Sequence, residues 1–131
     1  MVDSFRDLIV WQKAMNQAVL LYALVKKLPR EELYALSDQM RRAAVSVPSN
    51  IAEGHSRNSK KEYIQFLSIA KGSNAELQTH CLLCEKLGYL SEAELQPVLS
   101  QSVEIAKMLN SLIKKLTPNP QPLTDERSNA T

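Results

Sequence analysis

The chain has 131 residues, with 16 Lys and Arg against 14 Asp and Glu for a formal charge of +2, 44% hydrophobic residues and only three glycines. Such a length suits one domain with a core of its own, and the near balance of charge excludes a global field that would draw the whole surface to nucleic acid or membrane. Long stretches of Ala, Leu, Glu, Lys, Gln and Met, side chains that lose little freedom in a helix, point to an all-α protein.

The first predicted helix spans about residues 4–28, with Leu8, Trp11, Met15, Ala18, Tyr22 and Val25 at helical spacing as its buried stripe and Pro29 as its stop. Inside it, residues 19–25 are apolar all the way round. A bundle helix needs one buried stripe, so the second face serves either a wider core contact or a subunit interface that includes Leu20 and Leu24. After a short connection the second helix carries Leu33, Leu36, Met40, Ala43, Val47, Ile51 and Gly54 in unbroken phase across Pro48, which predicts a kink there and not an end.

Ser59 and Glu62 form a Ser-x-x-Glu capping signal that opens the third helix. Its stripe is Tyr63, Phe66, Leu67, Ala70, Asn74, Leu77, Cys81, Cys84 and Leu87, and Gly88 suits the left-handed cap that closes it. The same signal at Ser91–Glu94 opens a fourth helix with Leu95, Val98, Leu99, Ser102, Ile105, Ala106, Leu109, Leu112, Ile113 and Leu116 inward. Pro97 falls in its first turns, where a missing donor is harmless. Matched helices of about 25 residues with short links predict an antiparallel up-down-up-down four-helix bundle over residues 1–116. The Pro-rich and polar residues 117–131 read as a disordered tail.

Residues 39–57 differ from the rest of the chain. Arg42, Ser46, Ser49, Glu53 and Arg57 fall on one helical stripe with Arg41 and Asn50 beside it. From Arg41 to Lys61, five cations including Lys60 and Lys61 face one carboxylate, leaving +4. Guanidinium groups among hydroxyls and an amide suit phosphates, and a ring would multiply the patch; an ordinary solvated face with a Glu53–Arg57 pair is the alternative.

Other chemistry finds little support. Cys81 and Cys84 beside His80 make half a zinc site at most, and a di-iron bundle would need Glu-x-x-His pairs that are absent. No glycine-rich phosphate loop or nucleophile elbow occurs. We therefore expect no catalytic residue, metal, cofactor or small-molecule substrate, core thiols in a reducing compartment, and no membrane association: the chain has neither a signal-like start nor a long apolar run. Those readings place it in the cytoplasm.

Phe5, Leu8–Ala14, Tyr34–Leu36, Gln39–Ala44, Val47–Gly54, Arg57, Glu62–Tyr63, Phe66–Ser73 and Glu76–Leu77 together resemble the bacterial four helix bundle protein family, whose members include proteins encoded in intervening sequences of 23S ribosomal RNA genes. The resemblance covers about residues 5–116 and is carried most specifically by Pro48-Ser49-Asn50-Ile51-Ala52-Glu53-Gly54. It implies a barrel-like homopentamer without established catalytic activity. A more distant branch, accessory variability determinants of diversity-generating retroelements, binds a reverse transcriptase and nucleic acid through a basic surface. On this resemblance Arg41, Arg42, Ser49, Asn50, Glu53, Gly54 and Arg57 are the motif positions, serving either a ligand or the assembly. The expected function is a non-catalytic oligomeric binding protein for RNA, DNA or a nucleic-acid enzyme; the alternative is a structural ring with Arg42, Glu53 and Arg57 in inter-subunit pairs.

Overall fold

A computed structural model describes residues 4–118. Four helices follow one another: α1 (Ile9–Val25), α2 (Leu36–His55), α3 (Lys60–Lys86) and α4 (Glu92–Leu116), with 3-10 turns at Phe5–Asp7 and Arg30–Glu32. No strand occurs among the described residues. Helix contacts run α1 to α2, α2 to α3, α3 to α4 and α4 back to α1, and neither diagonal pair approaches as closely. Four helices therefore enclose one interior. The tail expected beyond Leu116 lies outside the described residues except for Thr117 and Pro118.

The helices are less equal than the sequence suggests, at 17, 20, 27 and 25 residues. Extended backbone at Leu8 detaches the opening 3-10 turn from α1, and Ala35, at φ −124° and ψ −101°, separates the second turn from α2. Leu33, expected in the second stripe, is consequently outside α2 and exposed. The later boundaries follow their signals. Ser59 accepts a hydrogen bond from the Glu62 amide at 3.1 Å. Ser91 and Glu94 close a reciprocal capping box at 3.1 and 2.9 Å, satisfying two donors a helix start leaves unpaired. Gly88 takes φ +78°, letting the Gly88 and Tyr89 amides turn back onto the Glu85 and Cys84 carbonyls. Pro97 is the sixth residue of α4, past the free donors of the first turn, so it removes one helical bond at an exposed position.

In the first helix the sequence phase is corrected. Val10, Ala14, Gln17, Ala18, Leu21, Leu24 and Val25 are buried, whereas Met15 and Tyr22 are exposed and Trp11 is half-buried. A helix apolar on every side offers several stripes of similar hydrophobicity, and only its neighbours decide which turns inward. In α3, Leu87 lies outside the core, and Tyr63 and Phe66 are half-buried.

A polar layer divides the interior in two. On one side lie Leu21, Met40, Leu77 and Leu95 with their neighbours, and on the other Val10, Val47, Leu67 and Ile105 with theirs. Between them sit the buried side chains of Gln17, Asn74 and Ser102. Asn74 donates to the Ser102 carbonyl at 2.9 Å and accepts from the Ser102 hydroxyl at 2.8 Å. Gln78 donates to the same hydroxyl. Gln17 donates to the Val98 carbonyl at 3.4 Å, and its own Oε1 has no partner.

Helix α2 runs unbroken through Pro48. Further along, Gly54 lies close against α3: a Cβ there would lie 2.8 Å from the Phe66 Cβ and 3.0 Å from the Tyr63 ring. The Phe66 Cβ, and the Tyr63 carbonyl 3.2 Å away, cannot retreat without moving α3. Gly54→Ala is expected to cost about 1–3 kcal/mol and to lower the thermal unfolding midpoint measured by circular dichroism. Gln17→Met, which removes a buried acceptor without a partner, should raise that midpoint, by about 1 kcal/mol of stability.

Candidate partner-binding surfaces

The outward turn of α1 builds an apolar concavity on the side of the bundle. Trp11, Met15, Val19 and Tyr22 from α1 face Val45, Pro48 and Ala52 from α2 across a groove of about 750 Å³. Val19 is 69% exposed. Phe5 packs edge-on against Trp11 with ring centroids 5.2 Å apart. Pro48 forms part of its floor and Ser49 part of its rim. Of the interface residues expected from the sequence, Leu20 is exposed but Leu24 belongs to the core, because the same rotation that opens the groove turns Leu24 inward.

The cations of residues 41–61 do not form one surface. Arg41 and Arg57 are 16 positions apart, so about 24 Å of helix separates them. Near the start of α2, Arg42 is paired with Asp38 at 3.0 Å and Arg41 reaches the Leu33 carbonyl at 3.4 Å. Near its end, Arg57 pairs with Glu53 at 2.9 Å and lies 4.8 Å over the Phe66 ring. Arg57 therefore clasps α2 to α3, and both guanidinium groups that could form inter-subunit pairs already have an α2 carboxylate four positions earlier in the chain. Asn50 is turned back onto Ser46, donating to its carbonyl at 2.8 Å and its hydroxyl at 2.9 Å. Ser46 in turn bonds Ser73 of α3 at 2.7 Å. Ser46 and Asn50 are thus committed to packing α2 on α3, while Lys60 and Lys61 stand exposed with no carboxylate in ion-pair range among the described residues.

Sequence reasoning missed the cations that join them. Tyr63 packs against the same cluster as Ile113 and Leu116, so the end of α4, with the exposed Lys114 and Lys115, is beside the α2–α3 turn. Reading the ends of all four helices together would have found this.

The thiols are embedded in the core. Burial pushes the Cys81 thiol up to about 12, with Cys84 adding to the rise, and burial pushes Cys84 up to about 11, with Glu32 adding. Both stay protonated at neutral pH, where a thiol neither attacks nor binds metal well. No group of three or more His, Cys, Asp or Glu side chains able to hold a metal ion occurs among the described residues. Nor is any described helix long and apolar enough to cross a membrane. The raised thiols set a sign for pH: their stabilising contribution is full below the ordinary thiol range and is lost as pH rises toward 11–12. Native protein at pH 8 should resist iodoacetamide, with both cysteines alkylated only after denaturation, read by mass spectrometry.

Known proteins agree with this architecture. A crystal structure of a protein of unknown function from the S23 ribosomal protein family of Bacteroides thetaiotaomicron superposes with a TM-score of 0.75 at 29% identity, covering 81% of this chain and 99% of that one. No curated protein matches. The sequence profile of the 23S rRNA-intervening sequence proteins matches residues 6–111, which takes in all four helices nearly to the end of α4. The chain belongs to the 23S rRNA-intervening sequence protein family.

Proposed function

We propose that this protein is a non-catalytic homo-oligomer, a set of up-down-up-down bundles closed into a homopentameric ring, that binds nucleic acid or a nucleic-acid enzyme such as a reverse transcriptase through cations on α2 and the α2–α3 turn. The observation that carries the assembly is the apolar groove between α1 and α2. Val19, Tyr22 and Met15 stand in solvent in the single chain although nothing in the bundle requires them there, and covering such surface is what drives association. The occupant we assign is a second copy of the chain.

The binding role is supported by Arg57, Lys60 and Lys61, which stay exposed on the outside of the bundle. Arg41 and Arg42 supply a second, more neutralised site at the other end of α2, and Ser49 is left at the groove rim. Repetition around a ring raises the effective concentration of each patch. The competing role is a structural ring without nucleic-acid contact.

Sedimentation velocity separates the parts of this reading. Wild type is expected to sediment as a multiple of 14.7 kDa, and Val19→Asp, which buries a charge only if the groove is covered, as a monomer. A monomeric wild type at micromolar concentration would overturn the assembly. Failure of the wild-type oligomer to shift nucleic acid at about 50 mM salt would count against direct nucleic-acid contact.

A further inference from the structure

The positive charge of this protein is concentrated at one end of the bundle. Lys13 meets Glu104 whereas Lys27 meets Glu94, so the start of α1 lies beside the end of α4. Met40 touches Cys84 whereas Gly54 touches Tyr63 and Phe66, so the end of α2 lies beside the start of α3. Residues 5–13, 49–65 and 104–117 therefore share one end, and they contain eight Lys and Arg against four Asp and Glu, a surplus of +4. The other described segments, 14–48 and 66–103, contain seven of each. Once Lys13–Glu104 and Arg57–Glu53 are paired, six exposed cations remain at that end without an ion pair among the described residues: Arg6, Lys60, Lys61, Lys107, Lys114 and Lys115.

Helix stability does not account for all of them. Lys114 and Lys115 at the C-terminus of α4 suit the helix dipole, but Lys60 and Lys61 occupy the first two positions of α3, where the partial charge is positive and a cation is unfavourable. Nor is the surface built to stack bases. The aromatic rings at and bordering this end are half-buried and already engaged: Phe5 on Trp11, Tyr63 on His55, and Phe66 beneath Arg57. Cations without free aromatics read the sugar-phosphate backbone, whose charges recur about every 3.4 Å along a strand, whereas binding of a single strand relies on stacking. A bundle end about 20 Å across can meet several phosphates at once.

We infer that this end, with Lys114, Lys115, Lys60 and Lys61 as its principal contacts, is a duplex-binding surface that grips the phosphate backbone without sequence preference. The inference rests on the nucleic-acid reading above and deepens it by naming the surface and the class of nucleic acid. The contact is electrostatic, steep in salt, and independent of the Arg41 and Arg42 end.

The test titrates the full oligomeric protein against mixed-sequence DNA and RNA duplexes and the corresponding single strands, by fluorescence anisotropy from about 50 to 200 mM salt. Duplex is expected to bind more tightly than single strand. Replacing Lys114 and Lys115 by Ala should flatten the plot of log K against log salt by about two per participating subunit, more than Arg41→Ala with Arg42→Ala does, because those guanidinium groups are already engaged by Asp38 and the Leu33 carbonyl. Circular dichroism and sedimentation on each variant confirm that fold and assembly are intact. Binding that is lost with the arginines and kept with the lysine variants would overturn this inference while the broader reading stands, and so would preference for single strands. No binding by wild type at the lowest salt would overturn both.

Discussion

Two reciprocal hydrogen bonds between Asn74 and Ser102 lie at the middle of the bundle, where every neighbouring layer is hydrocarbon. A buried amide or hydroxyl that loses its partner is penalised by its full desolvation cost, so this pair tolerates one register of α3 against α4 and rejects slips that an aliphatic core would accommodate. Gln17 brings α1 into the same layer through its bond to the Val98 carbonyl. That contact is longer and leaves one oxygen unpaired, so α1 is held chiefly by packing of Ala14, Ala18 and Leu21 around it.

The rotation of α1 follows from that arrangement and in turn shapes the surface. With Gln17 inward, Met15, Val19 and Tyr22 turn to solvent and Trp11 packs only against the edge of the core. They line the α1–α2 groove, and the small side chains of α2 opposite them, together with Pro48, keep it open. A proline that lacks its backbone donor is tolerated inside α2 because the remaining helical bonds and the burial of Val47 and Ile51 in the core on either side of it keep the helix continuous. Gly54 then allows α2 and α3 to close on each other, and the Arg57 guanidinium covers the contact.

The motif residues of α2 accordingly divide by task. Ser46, Asn50, Gly54 and Arg57 serve the α2–α3 contact, Pro48 and Ser49 the groove, and Arg41 and Arg42 the opposite end of the helix. Conventional reactive chemistry is muted by burial: the two thiols lie in hydrocarbon, with Cys84 against Met40. What the molecule offers its surroundings is an apolar cleft on its side and a field of cations at one end, features suited to assembly and to polyanions.

By itself the sequence determined the number and kind of the helices, because those depend on local chemistry: Ser59, Ser91 and Gly88 mark boundaries that the backbone obeys, and the α2 stripe from Leu36 to Gly54 is buried as its spacing predicts. It also determined the family, whose profile it matches over residues 6–111. Only the tertiary structure decided which side of α1 faces inward, since hydrophobic spacing cannot choose between faces that are all apolar and gives no weight to a buried glutamine. Likewise, only the fold could break the apparent basic stripe into two distant ends and bring Lys114 and Lys115 beside Lys60 and Lys61. Charges far apart along the chain become one surface when neighbouring helices place their termini together, and charges close along it are separated by the length of the helix that carries them.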